Sequence, residues 1–266
     1  MAGACAWATR QLSAPPVNRR IDFNCDLGEG CGNDAAIMPF ISSANIACGA
    51  HAGDDSSMRA TLRLCRQFNV SAGAHPGFAD RKHFGRREQP WNALDINALI
   101  GEQLRRLADI AETEGVDLHH VKPHGALYNQ AARDPDLAIA VVQAVREFDE
   151  KLILVGLSGS ELPKAGLGAG MRVVHEAFAD RRYMADGSLA PRSQAGAVIV
   201  EHGDAVDQAR TIVVQGHAIT LEGKKLAMHA DSICLHGDRE DAAEFARLLH
   251  QALVESQISI LAPDPS

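Results

Sequence analysis

Short apolar runs alternate along the chain with longer segments in which apolar residues recur every three or four positions. The runs IDFN (21–24), ANIAC (44–48), VSAGA (70–74), LHHVK (118–122), LILVG (152–156), RVVHE (172–176) and SICL (232–235) read as strands. Between them Met58, Leu62, Cys65 and Phe68 share a helical face, as do Ile96, Ile100, Leu104, Leu107 and Ala111, with Gly115 as the stop signal. Ala242, Phe245, Leu249 and Ala252 repeat the pattern near the end. Strand–helix alternation of this kind predicts an α/β fold with a parallel sheet covered by helices. Seven such units predict a barrel, complete or not, more than an open sheet. No linker or fixed-period repeat interrupts residues 21–266, which read as one domain. Residues 1–20 hold Pro15 and Pro16 and a short apolar run with no basic residue before it, so a disordered tail is expected rather than a signal peptide.

Polar residues gather where those strands end. NCDLGEG carries Asn24, Asp26 and Glu29; CGAHAGDD carries His51 and Asp54; HPG carries His75. KPHG carries Lys122 and His124, the sixth strand ends in Glu176 before FADRRY, and LHGD carries His236 and Asp238. In parallel α/β folds the carboxyl ends of the strands share one face, and that face holds the site. Groups from six segments therefore converge on one pocket. Lys122 and His124 are expected to reach into it past the strand end and to contribute little to core packing.

Each of these residues also has a plainer role. Asp54 and Asp238 suit helix N-caps, and Asp26 and Glu29 suit the positive end of a helix dipole. Asp26 lies nearest its strand end and is the better catalytic candidate. Glu176 ends an apolar strand and needs a partner or a ligand; Lys122 needs an acceptor, which Asp26 or Glu176 can supply. One histidine at a turn means little, but His51, His75, His124 and His236 stand at four strand ends. His202 shares the local pattern of His236 yet fits the start of a helix at 204–215, and is set aside. His119, His120 and His175 lie within strands and read as core or barrel residues.

A net charge of −8 with no basic run argues against a nucleic-acid partner, and no apolar run approaches the ~18 residues of a membrane helix. The cysteines form no CxxC pair and mostly sit in apolar segments, so free thiols in a reducing cytoplasm are expected. There is no G-x-x-x-x-G-K-[ST] phosphate loop and no G-x-S-x-G nucleophile elbow.

Together DFNCDLGEG, SANIACGAHAGD, GAHPGF, FGRRE, VKPHGALYN, EAFADRRY, GSLAPRSQAGA and SICLHGD resemble the LamB/YcsF family, that of the A subunit of bacterial 5-oxoprolinase, from about Ile21 to Ala262. The resemblance implies a deformed seven-stranded parallel (β/α) barrel, similar to the polysaccharide deacetylase-like barrel. It implies a cytoplasmic part in opening 5-oxoproline (pyroglutamate) to glutamate with ATP hydrolysis, in a complex with two other subunits. The motif positions carried over are Asn24, Asp26, Glu29, His51, Asp54, His75, Arg86, Lys122, His124, Tyr128, Glu176, Asp180, Arg181, Arg192 and His236. Within that set, Asp26 or Glu176 is expected as base, Lys122 as charge stabiliser and His124 as acid. Arg181 or Arg192 would bind the substrate carboxylate, and Asn24, His51, His75 and His236 would contact or orient the substrate. The missing phosphate loop fits ATP being held mainly by the partner subunits.

Two other readings stay open. Asp26, His51, His75 and His124 are ligand types suited to a metal-dependent deacetylase-like amidohydrolase. No HxxxH helix pair is present, and the carboxylates and lysine account for the chemistry without metal, so a metal-free site is expected with metal content left open. The same groups would also serve a non-catalytic subunit that binds a small acid.

Overall fold

The computed structural model describes residues 19–264. The tail expected over 1–20 lies outside the described residues as far as position 18. Arg19 and Arg20 instead open the first strand and pair with Ile258 and Ser259.

The strands are β1 (Arg19–Leu27), β2 (Ser43–Ala47), β3 (Ser71–His75), β4 (Leu118–Val121), β5 (Ile153–Leu157), β6 (Val173–Phe178), β7 (His217–Ile219), β8 (Lys225–Ala227), β9 (Ser232–His236) and β10 (Ile258–Ile260). Strands β1 to β6 and β9 pair in that order, every pairing parallel, and β9 pairs back onto β1 to close a barrel of seven strands. The seven-stranded (β/α) barrel is thus the observed fold. Strand β10 extends the start of β1, and β7 and β8 form a separate antiparallel ribbon.

Helices α1 (Asp34–Ile37), α2 (Asp55–Phe68), α3 (Ala93–Glu114), α4 (Gly125–Arg133), α5 (Pro135–Phe148), α6 (Glu161–Gly168), α7 (His202–Gln215) and α8 (Ala242–Glu255) accompany the strands. Their ends follow the sequence. Asp54 caps α2 by accepting from the Ser57 amide, while the Ser57 hydroxyl accepts from the Asp54 amide. Gly115 ends α3 in the left-handed conformation at φ 64°. His202 opens α7, two residues before the expected start, and its Nε2 lies 2.8 Å from Asp241.

Side chains alternate across a strand, and in β1 that alternation separates two environments. Ile21, Phe23, Cys25 and Leu27 belong to the apolar core beneath the helices. Asp22, Asn24 and Asp26 point the other way, into the lumen, where they bond to residues of β2, β6 and β9 and to Lys122 just past β4. β2 repeats the pattern, with Ala44 and Ile46 in the core and Ser43 and Asn45 in the lumen. The lumen is thus a polar core, stable only because its groups satisfy one another. At its base Asp22 accepts from the hydroxyls of Ser42, Ser43 and Ser232. Higher up, Asn45 donates to Asn24 and to Asp26 at 2.8 Å each, and His120 Nε2 donates to Asn45 Oδ1 at 2.9 Å.

Candidate active site

Above this network the carboxyl ends of the strands open into a cavity of about 1320 Å³, lined by Asp26, His75, Lys122, His124, Arg181 and His236 among others. Lys122 follows the last residue of β4, but its side chain turns inward and is 2% exposed. Its ammonium lies 2.9 Å from Asp26 Oδ1, 2.8 Å from Glu176 Oε1 and 3.0 Å from Cys234 Sγ. The expectation that Lys122 matters little to packing therefore fails: the lysine ties β1, β6 and β9 together across the lumen. Burial opposes its charge, but Asp26, Cys234 and Glu176 outweigh burial and hold the ammonium well above its ordinary range.

The two carboxylates differ in access. Asp26 faces the cavity, with Oδ1 accepting from Lys122 and Asn45 and Oδ2 lying 3.3 Å from His75 Nε2. Burial acts against its charge, yet His75 and Lys122 hold it well below the usual carboxylate range. Glu176 is fully buried. Its Oε1 accepts from Asn24 at 2.9 Å as well as from Lys122, and its Oε2 accepts from the Tyr128 hydroxyl at 2.6 Å. Asn24, Glu176 and His51 do not line the cavity; they sit beneath it.

Three histidines pack beside Asp26. The rings of His51 and His124 stack at 3.7 Å, and His75 stands edge-on to both. His75 Nδ1 donates to the Lys122 carbonyl at 2.7 Å, and His124 Nε2 donates to the Phe84 carbonyl at 2.8 Å. His124 Nδ1 lies 2.9 Å from His75 Nε2, so neither nitrogen of His124 points freely into the cavity. Glu29 comes over this group from the loop after β1, its Oε1 3.4 Å from His51 Nε2 and 3.4 Å from His124 Nδ1. Burial, reinforced by Asp26, pushes the Glu29 carboxyl well above its usual range. Burial, then His75, pushes His51 down to about 3.

The wall holds a second arrangement. His236, at the end of β9, stacks on Phe178 and directs Nδ1 to both oxygens of Asp180 at 2.9 and 3.0 Å. With Nδ1–H donated to Asp180, its Nε2 carries the lone pair. Burial opposes the Asp180 charge, but His236 outweighs it and lowers the carboxyl below its ordinary value. Arg181 donates to the Ala190 carbonyl, while Arg192 stands exposed at the rim and forms no ion pair among the described residues. Asp238, a possible N-cap by sequence, instead pairs with Arg86 at 2.5 Å.

The order of the blocks along the chain meets its match in the known proteins. The profile of the LamB/YcsF family matches residues 21–265. This chain belongs to the LamB/YcsF family. A family relative, the A subunit of 5-oxoprolinase from Tolumonas auensis, is 47% identical over 248 residues, covering 91% of this chain and 99% of that one. The crystal structure of the lactam utilization protein from Thermus thermophilus superposes with a TM-score of 0.85 at 40% identity, over 92% of this chain and 100% of that one. A GH18 chitinase from Pseudoalteromonas aurantia superposes with a TM-score of 0.52 at 8% identity, over 87% of this chain and 100% of that one, a likeness of barrel fold alone.

Proposed function

We propose that this LamB/YcsF chain is the A subunit of an ATP-dependent 5-oxoprolinase and that its cavity hosts the opening of the lactam ring. The observation that carries the reading is the pairing, in one cavity, of His236, hydrogen-bonded to the buried Asp180 behind it, with the charged Asp26–Lys122 floor. The 47% identical relative from Tolumonas auensis supports the substrate class.

An unstrained lactam resists attack by water, and phosphorylation of its oxygen by ATP makes the carbonyl carbon electrophilic. Water then adds to that carbon, the ring C–N bond breaks with a proton delivered to nitrogen, and a second water releases phosphate from the acyl phosphate. One ATP and two waters are consumed, and glutamate, ADP and phosphate result. His236 Nε2 takes the proton from the attacking water and delivers it to the lactam nitrogen as the C–N bond breaks. It does so in place of the expected acid His124, neither of whose nitrogens points freely into the cavity. Asp180 holds the imidazole ring and stabilises its charge. Lys122 spends its protons on Asp26, Glu176 and Cys234, so it acts on the developing negative charge through its field. Arg192, exposed at the rim, is placed for the substrate carboxylate. The sequence-based assignment of the base to Asp26 or Glu176 gives way here to His236, because Glu176 is fully buried outside the cavity lining and Asp26, held well below the usual carboxylate range beside Lys122 and His75, is a weak base. ATP is held mainly by two partner subunits, in keeping with the missing phosphate loop and with the relative's being named as one subunit of several. The cytoplasm suits the buried unpaired thiols Cys25, Cys48, Cys65 and Cys234; among the described residues no helix is long and apolar enough to cross a membrane.

The test is reconstitution. The chain with both partner subunits should convert 5-oxoproline to glutamate with release of phosphate, and each component alone should not. Equal turnover by the partners without this chain would overturn the proposal.

A further inference from the structure

The three histidines and Glu29 leave a problem of hydrogen bonding that Asp26, Lys122 and the Asp180–His236 dyad do not solve. His75 and His124 each give their one neutral-state proton to a backbone carbonyl. Their remaining nitrogens, His75 Nε2 and His124 Nδ1, then face each other at 2.9 Å as two lone pairs. A proton added to His75 Nε2 would answer His124, yet it would leave His51 and Glu29 as they are. Both ring nitrogens of His51 and Oε1 of Glu29 are buried without a hydrogen-bond partner. Native proteins rarely leave such groups unsatisfied without a reason.

We propose that Glu29, His51, His75 and His124 form a binding site for a divalent transition-metal ion of the zinc class. One ligand atom from each of the four lies within 4.8 Å of all the others. Tetrahedral ligand atoms ~2.0–2.1 Å from a zinc ion lie roughly 3.3 Å from one another. Glu29 Oε1 already stands 3.4 Å from both His51 Nε2 and His124 Nδ1. The carbonyls of Lys122 and Phe84 fix the rings of His75 and His124 so that the free nitrogens turn inward, as outer-shell partners do for metal-bound histidines. Three imidazoles with one carboxylate favour zinc, cobalt or iron over magnesium or calcium. Charge agrees: among the described residues Lys122 is paired with Asp26 and Glu176, and no Lys or Arg pairs with Glu29. This departs from the metal-free site expected from sequence, and it holds whatever the substrate.

The full chain, prepared without a histidine tag and stripped with chelator, is titrated with Co²⁺ and then with competing Zn²⁺. Visible Co²⁺ absorption saturating at one ion per chain, displaced by Zn²⁺, is the expected result. Thermal unfolding in the presence of Zn²⁺ should shift upward. His51→Ala and Glu29→Gln, each shown to fold by circular dichroism, should weaken binding by ~100-fold or more, beyond the ~10- to 100-fold loss typical of an outer-shell change. His202→Ala, whose ring pairs with Asp241 instead, should bind as the wild type does. Absence of a saturable site, or wild-type affinity in His51→Ala and Glu29→Gln, would overturn the proposal and leave a cluster that holds only protons or water.

Discussion

Lys122 Nζ lies 2.8 Å from Glu176 Oε1, and the two side chains are 2% and 0% exposed. Glu176 already accepts from Asn24 and Tyr128, so the lysine is the charge that balances a carboxylate with no route to water. Removing one member of a buried pair costs more than the pair itself contributes, because the survivor stays charged and dry.

Lys122→Met should therefore lose stability, by about 3–5 kcal/mol, and the loss should depend on pH. In the wild type, Asp26 is held below its unfolded value, so its contribution is present above pH ~3.9 and fades as pH falls. In the variant Asp26 loses the share of that lowering that Lys122 supplies while burial still opposes its charge, so the stabilisation that appears above pH ~3.9 shrinks. The two stability curves should converge in acid and separate towards neutrality. Denaturant unfolding across that range measures this, and Lys122→Met combined with Glu176→Gln should recover part of the neutral-pH loss. Parallel curves would mean that Lys122 does not balance these carboxylates.

How far the sequence reveals the lumen depends on which period is read. Strand–helix alternation is visible in whole segments, so the closed barrel is legible. His51, His75, Lys122, His124 and His236 are legible because each stands where an apolar run gives out. His120 reads as a core or barrel residue and is one, whereas Asp22, Asn45 and Ser232 escape notice because they lie inside runs that look simply apolar. The signal is present in IDFNCDL, where Asp22, Asn24 and Asp26 fall at every second position. A parallel strand buried on both faces is normally apolar on both, and that expectation hides a polar lumen. Asp180 is marked by the family resemblance alone, since its role depends on an approach of β9 that brings His236 within 2.9 Å.

Gly85 supplies a second test of the histidine cluster from outside it. Its φ of +62° is unfavourable for other residues, and a Cβ there would lie 2.8 Å from His51 Cβ and 3.0 Å from His124 Cδ2. Gly85→Ala should push those rings apart while removing no polar group. Stability should fall by roughly 1–3 kcal/mol from overpacking, and Co²⁺ affinity should fall with it. Gly187→Ala, also at positive φ but with open space around its would-be Cβ, is the control for backbone strain. Equal Co²⁺ affinity in the two variants would show that the ring positions do not govern binding.

Asp180 and His236 divide their work from Arg192 in a way kinetics can separate. The Asp180–His236 pair is assigned to proton transfer, so its loss should appear in the chemical step. His236→Ala in the reconstituted complex should lower kcat by ~100-fold or more with little change in KM, and added imidazole should restore part of the rate through the space left at the cavity wall. Asp180→Asn removes the charge that supports the imidazolium while keeping a group of the same size. It should also lower kcat, whereas imidazole should not rescue it, because the native ring still fills the site. Arg192→Ala acts on the bound carboxylate in ground and transition states alike, so it should raise KM and leave kcat nearly unchanged. A rise in KM alone for His236→Ala would make that histidine a binding residue and return the role of base to Asp26. Imidazole rescue confined to His236→Ala is the outcome that a merely structural role for the dyad does not produce.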